Sequence, residues 1–390
     1  MHSDSEIKHA LEKLIAYIEN ENFKGYDPYD GLNSPLFKLP FLRSNKSVRF
    51  LSQQFIKRFP VNLRPLLGIK KGCNPVTLGL CIQGYTSLLK LNPEKETEII
   101  NRINHLVELL EQFIPDGFHG ACWGYDFDWE ARYASIPAYQ PTIVATGIIT
   151  NALFQFYRQT GNEKAFKLCE SAAEFVLKDL NRTSLTGHPG YCFSYSPFDK
   201  QVVFNASMKA VRLLSQVYSI NKNELLKRTA QEAASFVMSH QREDGAWIYS
   251  QSKAGNWIDN YHTGYILDCL KEFQSCCNDH LFAENLERGF KFYRENFFLN
   301  DGQPKFYHNN PFPVDCTAAA QSILTLTSFG EKAMAGRTAE FMIRNMQGKN
   351  GAFYFRRHKM YLLKTSFMRW SHAWMFAALA YFQTKNNINV

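Results

Sequence analysis

The sequence predicts an all-α protein, an (α/α)6 barrel (toroid) of six helical hairpins. Three observations carry this. Two kinds of helix alternate along the 390 residues. A turn that places glycine close before an aromatic residue recurs between them. The connections are long in one direction and short in the other.

Helices of the first kind are apolar nearly all round and rich in Ala, Gly, Ser and Thr. They begin near residues 75, 141, 203, 261, 316 and 370, as in PTIVATGIITNALFQFY (141–157) and CTAAAQSILTLTSF (316–329). A helix without a polar face is buried on both sides. Helices of the second kind are amphipathic and cover roughly 94–114, 163–180, 222–240, 280–297 and 331–346. In 163–180, Phe166, Cys169, Ala173, Val176 and Leu180 form one stripe, with Lys and Glu on the other side. Residues 4–20 carry a similar stripe of Ile7, Leu11, Leu14, Ile15 and Ile18, so this helix supplies the sixth member of the outer set. Residues 47–59 form another short helix. Stacked hairpins each need a neighbour on both flanks, and closing the ring removes the exposed apolar edge. One domain spanning 1–390 is expected, with the N-terminal helix and loop of residues 1–60 packing on the barrel or completing it.

The long links run from outer to inner helices, at 117–140, 187–203, 245–260, 302–315 and 351–369. The returning links, near 159–162 and 219–222, are short. One mouth of the barrel is therefore elaborate, and long loops gathered on a regular scaffold are where function usually sits. The loop GYDPYDGLNSPLFKLP (25–40) holds more aromatic and acidic residues than a connector requires.

Composition narrows the class. Hydrophobic content of 45% with 15% aromatic excludes disorder and suits a large core. The net charge of +8 is spread along the chain without a compact Lys/Arg run, which argues against nucleic acid as a partner. It leaves a solvated basic surface or a mild preference for an anionic ligand. The nine cysteines are odd in number, form no CxxC, and several sit in apolar helices, a pattern of reducing compartments. The N-terminus is a charged amphipathic helix rather than a signal peptide, and no run of 18 apolar residues exists. A cytoplasmic protein without a transmembrane segment is expected.

QREDGAW (241–247) resembles the turn repeated in terpene cyclases and prenyltransferase β subunits, and DGFHGACW (116–123) and QGKNGAF (347–353) are weaker copies. The whole pattern resembles the (α/α)6 toroid superfamily, with its six-hairpin glycosidases, polysaccharide lyases and the helical domain of glucuronyl C5-epimerases. The DPYDGLNS loop resembles that of uncharacterised proteins from bacterial surface-polysaccharide gene clusters. The resemblance implies a carbohydrate-active enzyme, in surface-polysaccharide biosynthesis, that acts on an acidic poly- or oligosaccharide by hydrolysis, β-elimination or C5-epimerisation. Two alternatives accompany it: an isoprenoid enzyme akin to the prenyltransferases, and a non-catalytic glycan-binding or assembly protein. The prenyltransferase family holds zinc through Asp-x-Cys and a later His. Here Asp315 and Cys316 are adjacent and His372 follows, so the residue types match and the spacing does not. No metal or other cofactor is expected.

Inner-helix N-termini converge at the elaborate mouth, where their free N–H groups favour anions. Capping accounts for Asn74, Asn205 and Asp315. His262 is the leading acid/base candidate, with Asp259 three residues earlier to orient it, and His372 is a second. YDFDWEARY (125–133) adds Asp126, Asp128 and Glu130, a carboxylate set suited to glycosidic cleavage, beside Tyr125, Arg132 and Tyr133. Asp27 and Asp30 suit Asx turns, and Asp30 is also a candidate contact to sugar. The last long loop is basic, with Arg356, Arg357, His358, Lys359, Lys364 and Arg369 to hold uronate carboxylates and Tyr361 as base or acid. Trp123, Tyr125, Trp257, Tyr261 and Trp370 are the expected sugar platforms, with Asn205 beside them.

Overall fold

A computed structural model describes residues 2–130 and 135–387. Helix α1 (His2–Asn20) opens the chain, and α2 (Pro40–Ser44) and α3 (Lys46–Arg58) follow. The barrel then alternates inner α4 (Pro75–Leu89), outer α5 (Glu96–Glu111), inner α6 (Ile143–Thr160), outer α7 (Glu163–Asp179), inner α8 (Phe204–Asn221) and outer α9 (Glu224–Met238). It continues with inner α10 (Asn260–Cys277), outer α11 (Ala283–Asn296), inner α12 (Cys316–Ser328), outer α13 (Lys332–Met346) and inner α14 (Trp374–Asn387). The (α/α)6 toroid expected from the helix pattern is the architecture found. Among the described residues, no helix is long and apolar enough to cross a membrane.

The inner helices pack in the order α4, α6, α8, α10, α12, α14, and α14 returns to α4, so the ring is closed. Every residue of α12 from Cys316 to Thr327 is buried, as its lack of a polar face requires. Each buried Leu, Ile or Phe in this ring contributes roughly 1.5–3 kcal/mol. Helix α1 packs against α13 and α14 and takes the sixth outer position.

The recurring glycine turns join one hairpin to the next. At Gly245 (φ +91°) a Cβ would lie 2.5 Å from the Arg288 carbonyl oxygen of α11, the next outer helix. At Gly351 (φ +89°) it would lie 2.3 Å from the Lys13 carbonyl oxygen of α1, which closes the outer ring. Only glycine tolerates both the left-handed backbone and this approach. The tryptophans of these turns secure the preceding outer helix: Trp123 Nε1 donates to the Leu110 carbonyl (2.8 Å) and Trp247 Nε1 to that of Val237 (3.1 Å).

Two irregularities shape the mouth. The sixth inner helix begins with a π-helical turn, Met368–Ala373, before α14. Such turns cluster at functional sites, and this one carries Arg369 and Trp370. The loop of residues 25–33 is bound across the mouth by a bridge between Gly25 and Gly72 and by buried pairs described below.

Candidate active site

A cavity of 530 Å³ opens at the elaborate mouth. Its walls are largely aromatic, and the rings of Tyr249 and Trp257 stack with centroids 4.6 Å apart. Ile148, Tyr265 and Trp374 line its deeper part, at or past the first turn of the inner helices. Rings of this kind, with apolar faces and polar tips, suit the faces and hydroxyls of a sugar.

His262 lies in this wall, on the first turn of α10. Asp259 is the N-cap of that helix. Its Oδ1 accepts the His262 backbone N–H at 3.0 Å, and its Oδ2 stands 2.7 Å from His262 Nδ1 and 2.8 Å from Trp257 Nε1. One carboxylate thus starts the helix, fixes the imidazole and holds the tryptophan platform. With Nδ1–H directed at the carboxylate, Nε2 keeps the lone pair that a general base needs. Tyr261 packs on the same imidazole at 3.9 Å and on Trp370 at 6.0 Å.

The carboxylates of the 125–133 segment do different work. Asp126 accepts from Asn74 Nδ2 at 2.6 Å, and burial pushes its pKa up to about 6. Arg49 of α3 binds Glu130 at 3.0 Å and Asp128 at 3.5 Å, while Ser135 donates to Glu130. Asp128 also receives the Ala138 backbone N–H at 2.9 Å. Of the three, Glu130 alone borders the cavity, and its charge is held by Arg49. Asp128 and Glu130 pin α3 to the barrel, and Asp126 is held by Asn74 at the start of α4. Arg132 and Tyr133 lie outside the described residues.

The expected basic contacts are likewise redistributed. Arg369 borders the cavity, but its guanidinium is held by both oxygens of buried Asp27, at 2.7 and 2.9 Å. Asp30 is buried beneath the loop against Arg64 at 2.6 Å, with burial raising its pKa to about 7. Asp315 caps α12 and pairs with Arg356 at 2.5 Å, so its oxygens serve the fold. Tyr361 is exposed and stacks on His358 (4.5 Å), away from the cavity. His372 is buried in the π turn, where burial lowers its pKa to about 3. It borders a separate 450 Å³ cavity beside α1. Trp123 is wholly buried in the core, because its indole secures the α5 terminus.

The cavity therefore gathers His262, Tyr125, Trp257, Tyr261, Asn205, Glu130, Arg369 and Trp370 from the expected residues, with Asp259 behind His262. It also contains groups the sequence reading passed over. Tyr29 hangs from the 25–33 loop, and Lys57 and Arg58 end α3. Arg58 is exposed, with no ion pair among the described residues. Tyr195, Tyr249 and Tyr265 add phenol groups. The abundance of Tyr (19) and the aromatic content of the 25–40 loop were the available signals for these phenols.

No family model matches the chain, and no curated protein matches it. Solved structures do. A cellobiose 2-epimerase from Bacillus thermoamylovorans aligns with a TM-score of 0.62 at 12% identity, over 81% of this chain and 88% of its own. An unsaturated glucuronyl hydrolase specific for heparin aligns with 0.60 at 14%, over 99% and 97%. A GH76 α-mannanase from Bacteroides thetaiotaomicron aligns with 0.59 at 11%, over 81% and 87%. The chain has the (α/α)6 toroid fold of these carbohydrate-processing proteins.

Proposed function

We propose that this protein is a carbohydrate epimerase, which removes and returns a proton at a sugar carbon next to a carbonyl or carboxylate. Its substrate is an acidic oligosaccharide or polysaccharide. The observation that carries the reading is the Asp259–His262 dyad, set in an aromatic cavity whose bordering carboxylate, Glu130, is held by Arg49. Cleavage by a two-carboxylate glycosidase needs two available acids roughly 5–10 Å apart across the bond. Proton abstraction needs one oriented base, and the dyad supplies it. Arg58 at the rim and the net charge of +8 favour an anionic ligand. The cellobiose 2-epimerase among the similar structures is named for a change of configuration of this kind.

The test is proton NMR in D2O with acidic and neutral oligosaccharides. Loss of one ring-proton signal without cleavage is expected. His262→Asn is expected to slow that loss by about 10²–10⁴-fold, the usual worth of a general base. An olefinic product would reassign the same base to β-elimination. New reducing-end anomeric signals without exchange would replace the reading with hydrolysis.

A further inference from the structure

The cavity that holds His262 carries a second pair of groups able to handle a proton, Tyr29 and Lys57. Tyr29 lies against residues of the first, second and sixth hairpins. Its ring meets Phe127 at 6.3 Å, Trp129 at 6.1 Å and Trp370 at 5.7 Å. His262 stands on the first turn of α10. Tyr29 and His262 border one cavity from separate elements, the 25–33 loop and α10, with Trp370 and Tyr261 between them.

The Tyr29 hydroxyl is 2.6 Å from Lys57 Nζ, which also lies 3.9 Å over the Tyr29 ring. Lys57 is only 9% exposed and has no carboxylate within ion-pair distance among the described residues. An isolated lysine this deep lowers stability. A leucine would fill the same place at the end of α3 without that penalty. Packing therefore leaves the amine unexplained, and its one hydrogen-bond partner among the described residues is a phenol that borders the cavity.

We propose that Tyr29, backed by Lys57, is the second acid/base of this site and serves the face of the sugar ring opposite His262. The inference rests on the epimerase reading above. In one direction neutral His262 takes the proton from carbon and the C–H electron pair enters the enolate. The Tyr29 hydroxyl then gives its proton to the other face of that carbon, forming the new C–H bond. The Lys57 ammonium replaces the proton on the Tyr29 oxygen and is left as an amine. In reverse, the amine draws a proton through Tyr29 and imidazolium at position 262 returns one to carbon. No proton or electron is lost in either direction.

The surroundings fit these roles. Burial, and next the charge of Arg356, hold Lys57 well below the ordinary lysine range, which makes its amine form accessible. Arg58 acts in the same direction, while Asp315 and Asp27 act against it. Burial pushes Tyr29 up to about 12, so the phenol keeps its proton at rest.

The experiment follows exchange and inversion separately in D2O, using the full chain and the substrate on which the wild type exchanges. Tyr29→Phe keeps the ring packing and removes only the hydroxyl. Lys57→Met keeps the side-chain bulk and removes the amine. For both variants, inversion is expected to fall by about 10²-fold while His262-dependent exchange with retention stays within about threefold of wild type. Persistent exchange also shows that the variant is folded. Wild-type inversion in Tyr29→Phe, or a parallel loss of exchange and inversion, overturns the proposal and leaves the epimerase reading standing. A wild type that exchanges nothing removes that reading first, and this one with it.

Discussion

At the scale of single residues, the mouth is held by buried charges joined across most of the chain. Arg369 and Asp27 are 342 residues apart in sequence, and both are buried. The guanidinium lies 4.9 Å from the Tyr125 ring centroid and 5.1 Å from that of Trp370, so one cation orders two cavity walls. Asp27 also accepts the backbone N–H of Tyr29 at 3.0 Å, which fixes that loop. Asp27→Asn leaves a buried guanidinium without its counter-charge. It is expected to destabilise the fold by about 3–5 kcal/mol, because breaking a buried pair leaves the other charge uncompensated. Urea denaturation measures this. A loss under about 1 kcal/mol would mean that water reaches Arg369 and that the pair behaves as an exposed one.

At the scale of elements, the sequence was most legible where a local pattern decides the structure. Inner helices expected from residues 75, 141, 203 and 261 begin at Pro75, Ile143, Phe204 and Asn260, because a helix with no polar face has one place to go. The site was less legible, because its geometry depends on distant partners. Asp126, Asp128 and Glu130 look like an acid/base set in one dimension, yet Arg49 and Asn74 claim them in three. The segment signals only that carboxylates are close together, not what meets them. Nor does any local pattern announce the π turn that presents Arg369 and Trp370. The glycine turns had the right prominence and a role hidden from sequence: Gly245 and Gly351 each pack on the next outer helix. Gly351→Ala would place a side chain at φ +89° and 2.3 Å from the Lys13 carbonyl oxygen. A destabilisation of roughly 2–4 kcal/mol is expected from the strain and the contact together. Faster proteolysis at α1 than elsewhere would show that the joint between the last turn and the first helix has opened.

At the scale of the whole molecule, the toroid encloses buried charge as well as aromatic rings. Past the aromatic cavity, a second one of 120 Å³ is bordered by Lys209, Arg212, Asp268 and Glu272 on α8 and α10, and it shares Ile148 and Trp374 with the first. Lys209 Nζ lies 3.6 Å from the Tyr265 ring centroid, and burial, then Arg212, lowers its pKa to about 7. Between there and the ordinary value of 10.5, the unfolded chain binds more protons at this residue than the folded one. This group's contribution to stability therefore rises with pH across that window and is least favourable below it. Asp268 runs the other way. Burial lifts it from 3.8 to about 6, so the folded chain binds more protons there and its contribution falls as pH rises through that interval. Lys209→Met fills the same space without the charge. It is expected to stabilise the protein by roughly 1–3 kcal/mol at pH 7, as apolar replacement of buried ions often does. The gain should shrink toward pH 10, where wild-type Lys209 is neutral in the fold and the unfolded amine is beginning to lose its proton. Melting curves of both proteins from pH 6 to 10 decide it. A variant less stable than wild type at pH 7 would make the attraction between Lys209 and Asp268 larger than the desolvation of the amine, and the charges of the barrel axis would then be part of what closes the ring.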